Sequence, residues 1–589
     1  MQRVGAGTLR AADEGKRVRL AGWVHRVRDH GGLLFFDLRD RSGIVQVVLA
    51  PQDGAYALAQ GLHPEWVVAV EGKVQLRGSA AVNAKIATGE IEIAEPGIEV
   101  LAESDVPPLL PSAADLPEEG VRLRNRVLDL RRDEMQRNLA LRHRLLQATR
   151  RHLDGEGFYE IETPMLTRST PEGARDFLVP SRLQPGEFYA LPQSPQLFKQ
   201  LLMVAGFERY FQIVRCFRDE DLRADRQPEF TQIDIEMSFV AQEDVLGMAE
   251  ALTRTIAEAG GWQVELPLAR LSYAEAMRRF GTDKPDLRIP WEIVDLGPVK
   301  DAFTAPFLQQ ALEQGGVLRG LRVPGAGAFT RRQWEDLGRQ VERFGLKSVP
   351  HLARAGGELR GSLAKGFAAG DLAGLESLTG LCEGDALLVL AGREEPVSMA
   401  LGHLRLVLAD ALDAREAGHR FLWVTDFPLM EWSDEEGRAV SRHHPFTHPH
   451  PDDVARLEQD PLGVRAQAYD LVLDGVEVAG GSIRIHERAL QQRVFHLLGL
   501  GEDEAQAKFG FLLDAFRFGA PPHGGIAFGF DRLCMLLAGA PSIRDVIAFP
   551  KTAKGTDLLT GAPADVAPAQ LDELRLRVLA PDALRRQES

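Results

Sequence analysis

The chain has 589 residues, of which 44% are hydrophobic and 26% are charged, a balance typical of a folded globular protein and unlike a disordered, collagen-like or membrane protein. At about 150 residues per domain, this length predicts three to four domains. The 69 basic and 85 acidic residues give a net charge of −16. That charge excludes a globally basic nucleic-acid-binding protein and leaves room for a local basic surface.

The three cysteines, Cys216, Cys382 and Cys534, are far apart, which excludes a disulfide framework and a zinc site of the CxxC type. The first residues lack the apolar segment of a secretory signal, and no run of about 18 apolar residues occurs. The sequence therefore predicts a cytoplasmic protein without a membrane span.

Short strand-like runs separated by glycine-containing turns characterise the first part of the chain. The runs cover residues 17–24, 33–38, 44–49, 66–76 and 90–101. Five short strands with such turns favour a small β-barrel of the OB-fold type. We therefore predict a barrel domain over residues 1–104 and, from the prolines that follow it, a linker over residues 105–130.

Residues 122–151 form the most basic stretch, with ten arginines against three acidic residues. Apolar residues recur in it near helical spacing, which predicts a helix with an arginine-rich face. Two interpretations stay open: a solvated charged face, or a surface that contacts phosphates beside the barrel.

Strand-like and helical runs alternate in the middle of the chain, and residues 288–420 differ from both flanks by their glycine content. We interpret this segment as an inserted α+β domain. It would divide a catalytic domain into residues 131–287 and residues 421–589.

A strand, a highly charged loop and a second strand are predicted over residues 210–237. A guanidinium group offers a planar donor fork for phosphate oxygens, so the arginines of this hairpin are suited to a polyphosphate. Phe230, at the start of the return strand, could stack on a base. The alternative is an ordinary solvated hairpin tip.

Asp474 and Gly475, between two apolar runs, predict a two-residue β-turn. In that register Val472 faces Glu477, and Asp470 lies diagonal to Glu477, so both carboxylates can reach one hard cation such as Mg²⁺. Arg484 would face the other side of an unbroken strand, and a bulge at Gly480–Gly481 would return it to the same face. The alternative is two solvent-facing acids.

Two further segments carry weaker signals. The glycine-spaced run 524–529 leads into a predicted helix whose first turn contains Arg532, where donors point toward anions. Residues 443–450 contain four histidines without a cysteine or acid to complete a metal site. That composition favours a substrate-facing loop over a metal centre.

These segments, in this order, resemble the motifs of the class II aminoacyl-tRNA synthetases: GFYEIETP at 157–164, FRDE at 217–220 and GFDR at 529–532. Within the aspartate, asparagine and lysine subgroup they are most similar to bacterial-type aspartyl-tRNA synthetases. The strings that carry this similarity are TPEGARDF at 170–177, QSPQLFK at 193–199, FRDED at 217–221, HHPF at 443–446 and GGSIR at 480–484.

The resemblance covers nearly the whole chain and implies a multidomain α+β protein. Its parts would be an N-terminal OB-fold barrel for the anticodon, a class II catalytic domain with an antiparallel sheet, and the inserted domain. The implied cofactors are ATP and Mg²⁺. The implied partners are L-aspartate, tRNA(Asp) and a second copy of the chain in a homodimer.

The resemblance also implies roles for individual side chains. Those that bind aspartate would be Glu172, Ser194, Gln196, Lys199, Arg218, Asp234, His443 and Arg484. Those that bind ATP would be Arg218, Asp219, Glu220, Gln227, Phe230, Glu477, Gly529, Phe530, Asp531 and Arg532. Catalysis would depend on Arg218, Glu477 and Arg532, and the metal would lie on Asp470 and Glu477. The anticodon would meet Arg28, His30, Phe35 and Gln46.

The implied reaction activates L-aspartate with ATP, releases pyrophosphate and transfers aspartate to the 3′ end of tRNA. An asparagine- or lysine-specific ligase is an alternative, but neither amino acid matches a pocket with two cations, Lys199 and Arg484. A non-catalytic RNA-binding paralogue is a second alternative, although Arg218, Glu477 and Arg532 are all present.

Whether tRNA(Asn) is charged as well stays open at this stage. In the family, histidine at the position of His30 accompanies relaxed specificity, and leucine accompanies restriction to tRNA(Asp). The loop at 76–83 carries small residues where restricted members carry a bulky basic one. Both features favour relaxed specificity.

Overall fold

A computed structural model describes residues 2–170 and 174–579. The chain divides into two compact units. The first unit contains Met1–Leu145, Asp221–Pro228 and Cys534–Ser589, and the second contains Leu146–Glu220 and Glu229–Leu533. Among the described residues, no helix is long and apolar enough to cross a membrane.

Five strands of the first unit form a closed barrel, which confirms the predicted OB-type fold. The strands are Arg17–His30, Leu33–Asp40, Gly43–Leu49, Val67–Leu76 and Ile91–Ala102. Alternate residues point inward, and the buried set includes Val24, Phe36 and Val47. The residues between them point outward and form the outer face of the barrel.

The turn between the first two strands differs from expectation. The predicted run ended at residue 24, whereas the strand continues through Asp29 and His30, and the chain reverses at Gly31 and Gly32 with φ of 63° and 92°. Only glycine adopts both values without strain, so these two residues alone form the turn. His30 therefore occupies a strand position opposite Leu33.

The arginines that begin the basic stretch have a role that neither sequence interpretation anticipated. Arg122, Arg126 and Arg132 all bond the carboxylate of Asp129, which is fully buried. Arg126 also donates to the backbone carbonyl of Ala548 at 2.8 Å. These charges organise the interior of the first unit instead of forming a solvated face. The helices of the unit are Tyr56–Gln60, Glu119–Arg124, Arg126–Asp129 and Pro568–Glu573, and Asp133–Gly155 runs across its boundary.

An eight-stranded sheet forms the centre of the second unit. In spatial order its strands are Ala269–Ser272, Phe421–Thr425, Ala468–Leu473, Val476–Ile483, His523–Gly529, Glu229–Ser238, Arg209–Phe217 and Tyr159–Glu160. The six inner strands are antiparallel, and each edge strand is parallel to its neighbour. This is the antiparallel catalytic sheet that the sequence analysis expected.

Helices and two short hairpins surround this sheet. The helices are Gln196–Val204, Gln242–Ala259, Tyr273–Phe280, Arg488–Leu497, Glu502–Ala515 and Phe530–Ala538. The hairpins are Leu178–Pro180 with Phe188–Ala190, and Met430–Ser433 with Arg438–Ser441.

A separate five-stranded sheet lies between the two parts of the central sheet along the chain. Its order is Ile293–Asp295, Val317–Val323, Ala386–Gly392, His351–Ala355 and Glu358–Arg360. Its helices are Pro306–Glu313, Arg331–Val341, Leu372–Thr379 and Glu394–Ala411. Neighbouring residues of one strand, Leu387 and Leu388, belong to two different hydrophobic cores. The sheet is therefore covered on both faces, which explains its unusually apolar strands.

Candidate active site

The hairpin of Ala468–Leu473 and Val476–Ile483 has the predicted turn, with φ of 53° at Asp474 and 85° at Gly475. Val472 pairs with Glu477, as expected, and the register then shifts so that Asp470 pairs with Gly480. The bulge therefore lies at Val478 and not at Gly480–Gly481, the position predicted from the sequence.

Asp470 and Glu477 point at the same small space above Gly480. A Cβ atom on Gly480 would come within 2.7 Å of Asp470 Oδ1 and 3.8 Å of Glu477 Oε1, so only glycine leaves the space open. Burial and the charge of Glu477 raise the pKa of Asp470 well above its ordinary value. A hard divalent cation would offset both the burial of the Asp470 carboxylate and its repulsion by Glu477. Two carboxylate oxygens are ligands that suit Mg²⁺.

Two cations and two carboxylates form a buried cluster beside this hairpin. Lys199 Nζ lies 3.0 Å from Asp234 Oδ1 and 3.3 Å from Glu236 Oε2. Arg484 donates to Glu236 through Nε at 3.0 Å and Nη2 at 3.1 Å. All four side chains are at most 2% exposed. The cluster has formally balanced charge, which is how ionised groups are tolerated in an interior.

The pKa values of the two carboxylates diverge. Burial, opposed by Lys199, raises the pKa of Asp234 to about 6. Burial also acts on Glu236, but Arg484 and Lys199 outweigh it and lower its pKa. Asp234 is thus the member of the cluster that most easily accepts a proton, and Glu236 stays ionised.

Glu236 was missed in the sequence analysis, although its position carried a signal. Asp234 and Glu236 are two residues apart on one strand, so they share a face and alternate with buried apolar residues. The neighbouring strand presents Gly525 opposite Glu236. A Cβ on Gly525 would come within 2.0 Å of Glu236 Oε2, so the carboxylate needs this glycine.

Ser482 and His444, which the sequence analysis did not assign to the site, complete the environment of Arg484. Arg484 Nη1 lies 2.7 Å from both Ser482 Oγ and His444 Nε2. Burial and Arg484 lower the pKa of His444 well below its ordinary value, so its ring is neutral and Nε2 accepts. Gln196, which was predicted to bind aspartate, is buried, and its side chain donates to Gln200 at 3.2 Å.

His443 lies between the two groups of charges. Burial lowers its pKa to about 4, and both Glu477 and Arg484 are close enough to influence it. Its ring packs edge-on against Phe427 at 4.8 Å. Its Nε2 is buried and has no hydrogen-bond partner within the described part of the chain, which leaves it available for a ligand.

Two other histidines of this loop bond the backbone. His448 bonds the carbonyl of Pro449, and His450 caps the short 3-10 helix Pro451–Arg456. Over residues 2–170 and 174–579, no group of three metal-ligating side chains is found.

Arg218 directly follows the strand Arg209–Phe217, and it meets Phe230 on the paired strand Glu229–Ser238. The Arg218 guanidinium lies 5.0 Å from the centre of the Phe230 ring, the distance of a cation–π contact. Beside them the backbone N–H of Asp219 donates to the carbonyl of Arg175 at 3.0 Å. This pairing holds the segment that follows the predicted Glu172, which lies outside the described residues.

Gln193 and Ser194 fix the neighbouring backbone. The Gln193 side chain bonds both the N–H and the carbonyl of Ala174, and also Asp176 Oδ1 at 2.6 Å. Ser194 Oγ accepts from the N–H of Gln196 at 3.3 Å. Glu220 is half-buried on the same loop as Asp219.

The segment from strand to helix begins at Gly529, and the side chains of the next three residues point in two different directions. Phe530 and Asp531 are buried, and Asp531 Oδ2 accepts from the backbone N–H of Thr231 at 2.8 Å. Arg532 Nη1 donates to the carbonyl of Glu477 at 3.1 Å. Arg532 therefore approaches the acid hairpin, whereas Phe530 and Asp531 have side chains directed into the core.

Gln227 belongs to the first unit, in the segment Asp221–Pro228. It is buried, and its side-chain amide bonds the carbonyl and N–H of Lys551 at 3.0 and 2.7 Å. This two-point contact holds the chain near Lys551.

The outer face of the barrel collects the four residues assigned to the anticodon. Arg28 and Phe35 are directly opposite in the register, and Arg28 reaches Gln46 Oε1 at 3.3 Å. Asp37 accepts from Arg28 at 2.7 Å. The exposed His30 ring lies 6.0 Å from the Phe35 ring. An aromatic ring among hydrogen-bonding side chains is the arrangement that proteins use for single-stranded bases.

The sequence of this chain is similar to those of known tRNA synthetases. The family described as tRNA synthetases class II (D, K and N) matches residues 118–553, and an OB-fold nucleic acid binding domain matches residues 18–101. An aspartate–tRNA(Asp/Asn) ligase of Moorella thermoacetica is 55% identical over 98% of this chain and 96% of its own length. An aspartate–tRNA ligase of Geobacillus kaustophilus is 52% identical over 96% of this chain and 97% of its own length.

Solved structures support the fold. An asparaginyl-tRNA synthetase of Pyrococcus horikoshii complexed with asparaginyl-adenylate has a TM-score of 0.59 at 19% identity, covering 96% of this chain and 100% of that one. An aspartyl-tRNA synthetase of Entamoeba histolytica has a TM-score of 0.57 at 19% identity, covering 93% and 91%. With these matches over both parts, the chain belongs to the class II tRNA synthetases of the aspartate, lysine and asparagine group.

Proposed function

We propose that this chain is an aspartate–tRNA ligase that acts in the cytoplasm with ATP and Mg²⁺. The observation that carries the proposal is the buried pair of cations, Lys199 and Arg484, next to the hairpin of Asp470 and Glu477. A carboxylate side chain of the substrate can share these two cations with Asp234 and Glu236, whereas an amide or ammonium side chain cannot. The close similarity to ligases named for aspartate supports the same substrate.

The amino acid would bind between the cations and Asp234. Arg484 and Lys199 attract the side-chain carboxylate, and Asp234 offers an acceptor to the α-ammonium group. Gln196, Ser194, His443 and Glu172 belong to the same proposed pocket, as the family resemblance implies. Asparagine would place an amide donor against a guanidinium, which leaves a buried polar contact unsatisfied and costs about 1–3 kcal/mol or more. Lysine would bring a third cation.

In the first step, an oxygen of the aspartate α-carboxylate attacks the α-phosphorus of ATP and pyrophosphate leaves. Arg218 is suited to the charge that develops on the α-phosphate, and its contact with Phe230 orients both groups around the base. Arg532 would cover the other face of the base. Bound on Asp470 and Glu477, Mg²⁺ would neutralise phosphate oxygens. Most of the acceleration comes from holding two anions together.

In the second step, a ribose hydroxyl at the 3′ end of the tRNA attacks the aspartyl-adenylate and AMP leaves. Residues 1–104 would bind the anticodon through Phe35, Arg28, His30 and Gln46. We propose that residues 288–420 are an insertion into a catalytic domain made of residues 131–287 and 421–589, with 105–130 as the linker.

Charging tests both the activity and its tRNA range. We expect the wild type to attach labelled aspartate to purified tRNA(Asp) and also, measurably, to tRNA(Asn). The two anticodons differ by C against U at the third base, and a neutral imidazole can offer a donor to one and an acceptor to the other. His30→Leu should therefore lower charging of tRNA(Asn) more than charging of tRNA(Asp).

Absence of charging with either tRNA would refute the ligase assignment. Equal slowing of both tRNAs in His30→Leu would instead leave His30 without a role in discrimination. His63→Leu is a matched control, because His63 is also an exposed histidine of this domain and its ring packs on Trp66.

We also propose a homodimer, because the segment ending at Pro164 forms the subunit interface in this class. An obligate interface buries about 2,000 Å² or more. Sedimentation at sub-micromolar protein should therefore give a species of twice the 64.9 kDa chain mass. A single species at the chain mass would contradict this proposal.

A further inference from the structure

The segment 281–288 connects the central sheet with the five-stranded sheet, and both of its ends are held. At its start Gly281 has φ of 66°, and a Cβ there would come within 1.9 Å of the carbonyl oxygen of Ser398. Near its end the carboxylate of Asp286 accepts from Arg415 Nε at 3.1 Å. A short segment anchored at both ends keeps the residues between in a defined place.

Lys284, in the middle of this segment, faces the acid hairpin. Its Nζ lies 3.6 Å from Glu477 Oε2, and the two side chains are 46% and 38% exposed. Lys284 is also close enough to Asp470 to oppose the rise in its pKa that burial produces. The ammonium group thus stands at the open rim of the space where the metal and the phosphates are expected.

A second cation at the same rim, Arg442, is already engaged. It bonds Glu431 at 2.6 Å, lies 3.4 Å from Asp283 Oδ2, and stacks on the ring of Tyr273 at 4.9 Å. Within the described residues, Lys284 meets one carboxylate within 4 Å, that of Glu477, and at a distance longer than a hydrogen bond. Lys284 is therefore the cation that can change its partner when an anion arrives.

We propose that Lys284 contacts the β- and γ-phosphates of ATP and stabilises pyrophosphate as it leaves. The inference rests on the proposed function. With a divalent cation held by Glu477, the Lys284 ammonium would be released from that carboxylate and could pair with phosphate oxygens. As the aspartate oxygen bonds to the α-phosphorus, the bond from that phosphorus to the bridging oxygen breaks. Its electron pair passes to pyrophosphate, where Lys284 offsets the added charge.

The balance of charges at the rim gives Lys284 a large effect on phosphate binding. Asp283, Asp470 and Glu477 outnumber Lys284 and Arg442, so the rim on its own repels a triphosphate. A bound divalent cation reverses that balance only if both basic side chains remain. Removing Lys284 should therefore affect the terminal phosphates and leave the nucleoside and its α-phosphate almost untouched.

The test compares ATP with AMP in equilibrium binding to the full chain at saturating Mg²⁺. Lys284→Met should weaken ATP binding about tenfold, the value of one charge-assisted contact, and change AMP binding less than twofold. Lys284→Arg, which keeps the charge, should recover most of the ATP affinity. Lys300→Met is the matched control, an exposed lysine on Gly297–Ala302, and should bind both nucleotides as the wild type does.

Unchanged ATP affinity in Lys284→Met would overturn the inference, and so would equal weakening of ATP and AMP, which indicates a structural role. Neither measurement involves an amino acid or tRNA. Failure of this inference is therefore distinct from failure of the proposed function, which would appear as a wild type that binds ATP but forms no aspartyl-adenylate.

Discussion

Replacing Arg484 by leucine is expected to reduce aspartate-dependent exchange of pyrophosphate into ATP by about three orders of magnitude. The guanidinium is buried and makes bonds to Glu236, Ser482 and His444 that hold its remaining surface toward the proposed substrate carboxylate. Removing one partner of a buried, hydrogen-bonded charge pair costs about 2–5 kcal/mol. ATP binding should change little, because the proposed phosphate contacts lie on other side chains.

Loss of stability has to be separated from loss of binding in this variant. Among the described residues, the ion-pair partner left to Glu236 without Arg484 is Lys199, at 3.3 Å, and the free energy of unfolding should fall by about 3–5 kcal/mol. Arg484→Leu combined with Glu236→Gln removes both charges and should recover part of the melting temperature without recovering exchange. Arg488→Leu, on an exposed helical position, is the control for arginine removal. Near-normal exchange in Arg484→Leu would remove Arg484 from the substrate site.

Replacing Asp470 by asparagine should stabilise the metal-free protein and abolish its response to Mg²⁺. Burial and Glu477 raise the folded-state pKa of Asp470 well above its ordinary value of 3.8. Stability is therefore lost as pH rises from that value through the raised pKa, because the unfolded chain releases the proton more easily. Asparagine removes this loss, so at neutral pH in EDTA the melting temperature should rise by about 2–4 °C.

The same variant should lower Mg²⁺-dependent exchange by about 100-fold, since half of the proposed oxygen pair is gone. Millimolar Mg²⁺ should raise the melting temperature of the wild type and leave that of Asp470→Asn unchanged. Glu477→Gln should lose the same response without losing tRNA binding at the barrel. Asp434→Asn, at an exposed turn, is the matched control. An unaltered Mg²⁺ response in Asp470→Asn would move the metal away from this hairpin.

The barrel, the hairpin turn and the family could all be predicted from short segments of the sequence. Five short strand-like runs separated by glycine-containing turns predicted the barrel, because strands of that length and spacing can close into a small barrel. Asp474 and Gly475 predicted the hairpin and the pairing of Val472 with Glu477, because a two-residue turn sets the register of the residues next to it. The order of short motifs was sufficient for the family, which the matches over both domains confirm.

Contacts between distant segments were decided only by the tertiary structure. The turn residues could not locate the bulge at Val478. A turn sets the register only of the residues next to it, and farther along the strand the register depends on pairing with the neighbouring strands. Alternation could place Glu236 beside Asp234 but could not show that Arg484, 248 residues away, would be its partner. The arginines that begin the basic stretch were equally undetermined, because the buried carboxylate of Asp129 that they share becomes visible only once the chain is packed. Partner choice among buried charges depends on which backbones approach, and no periodicity in the sequence encodes that.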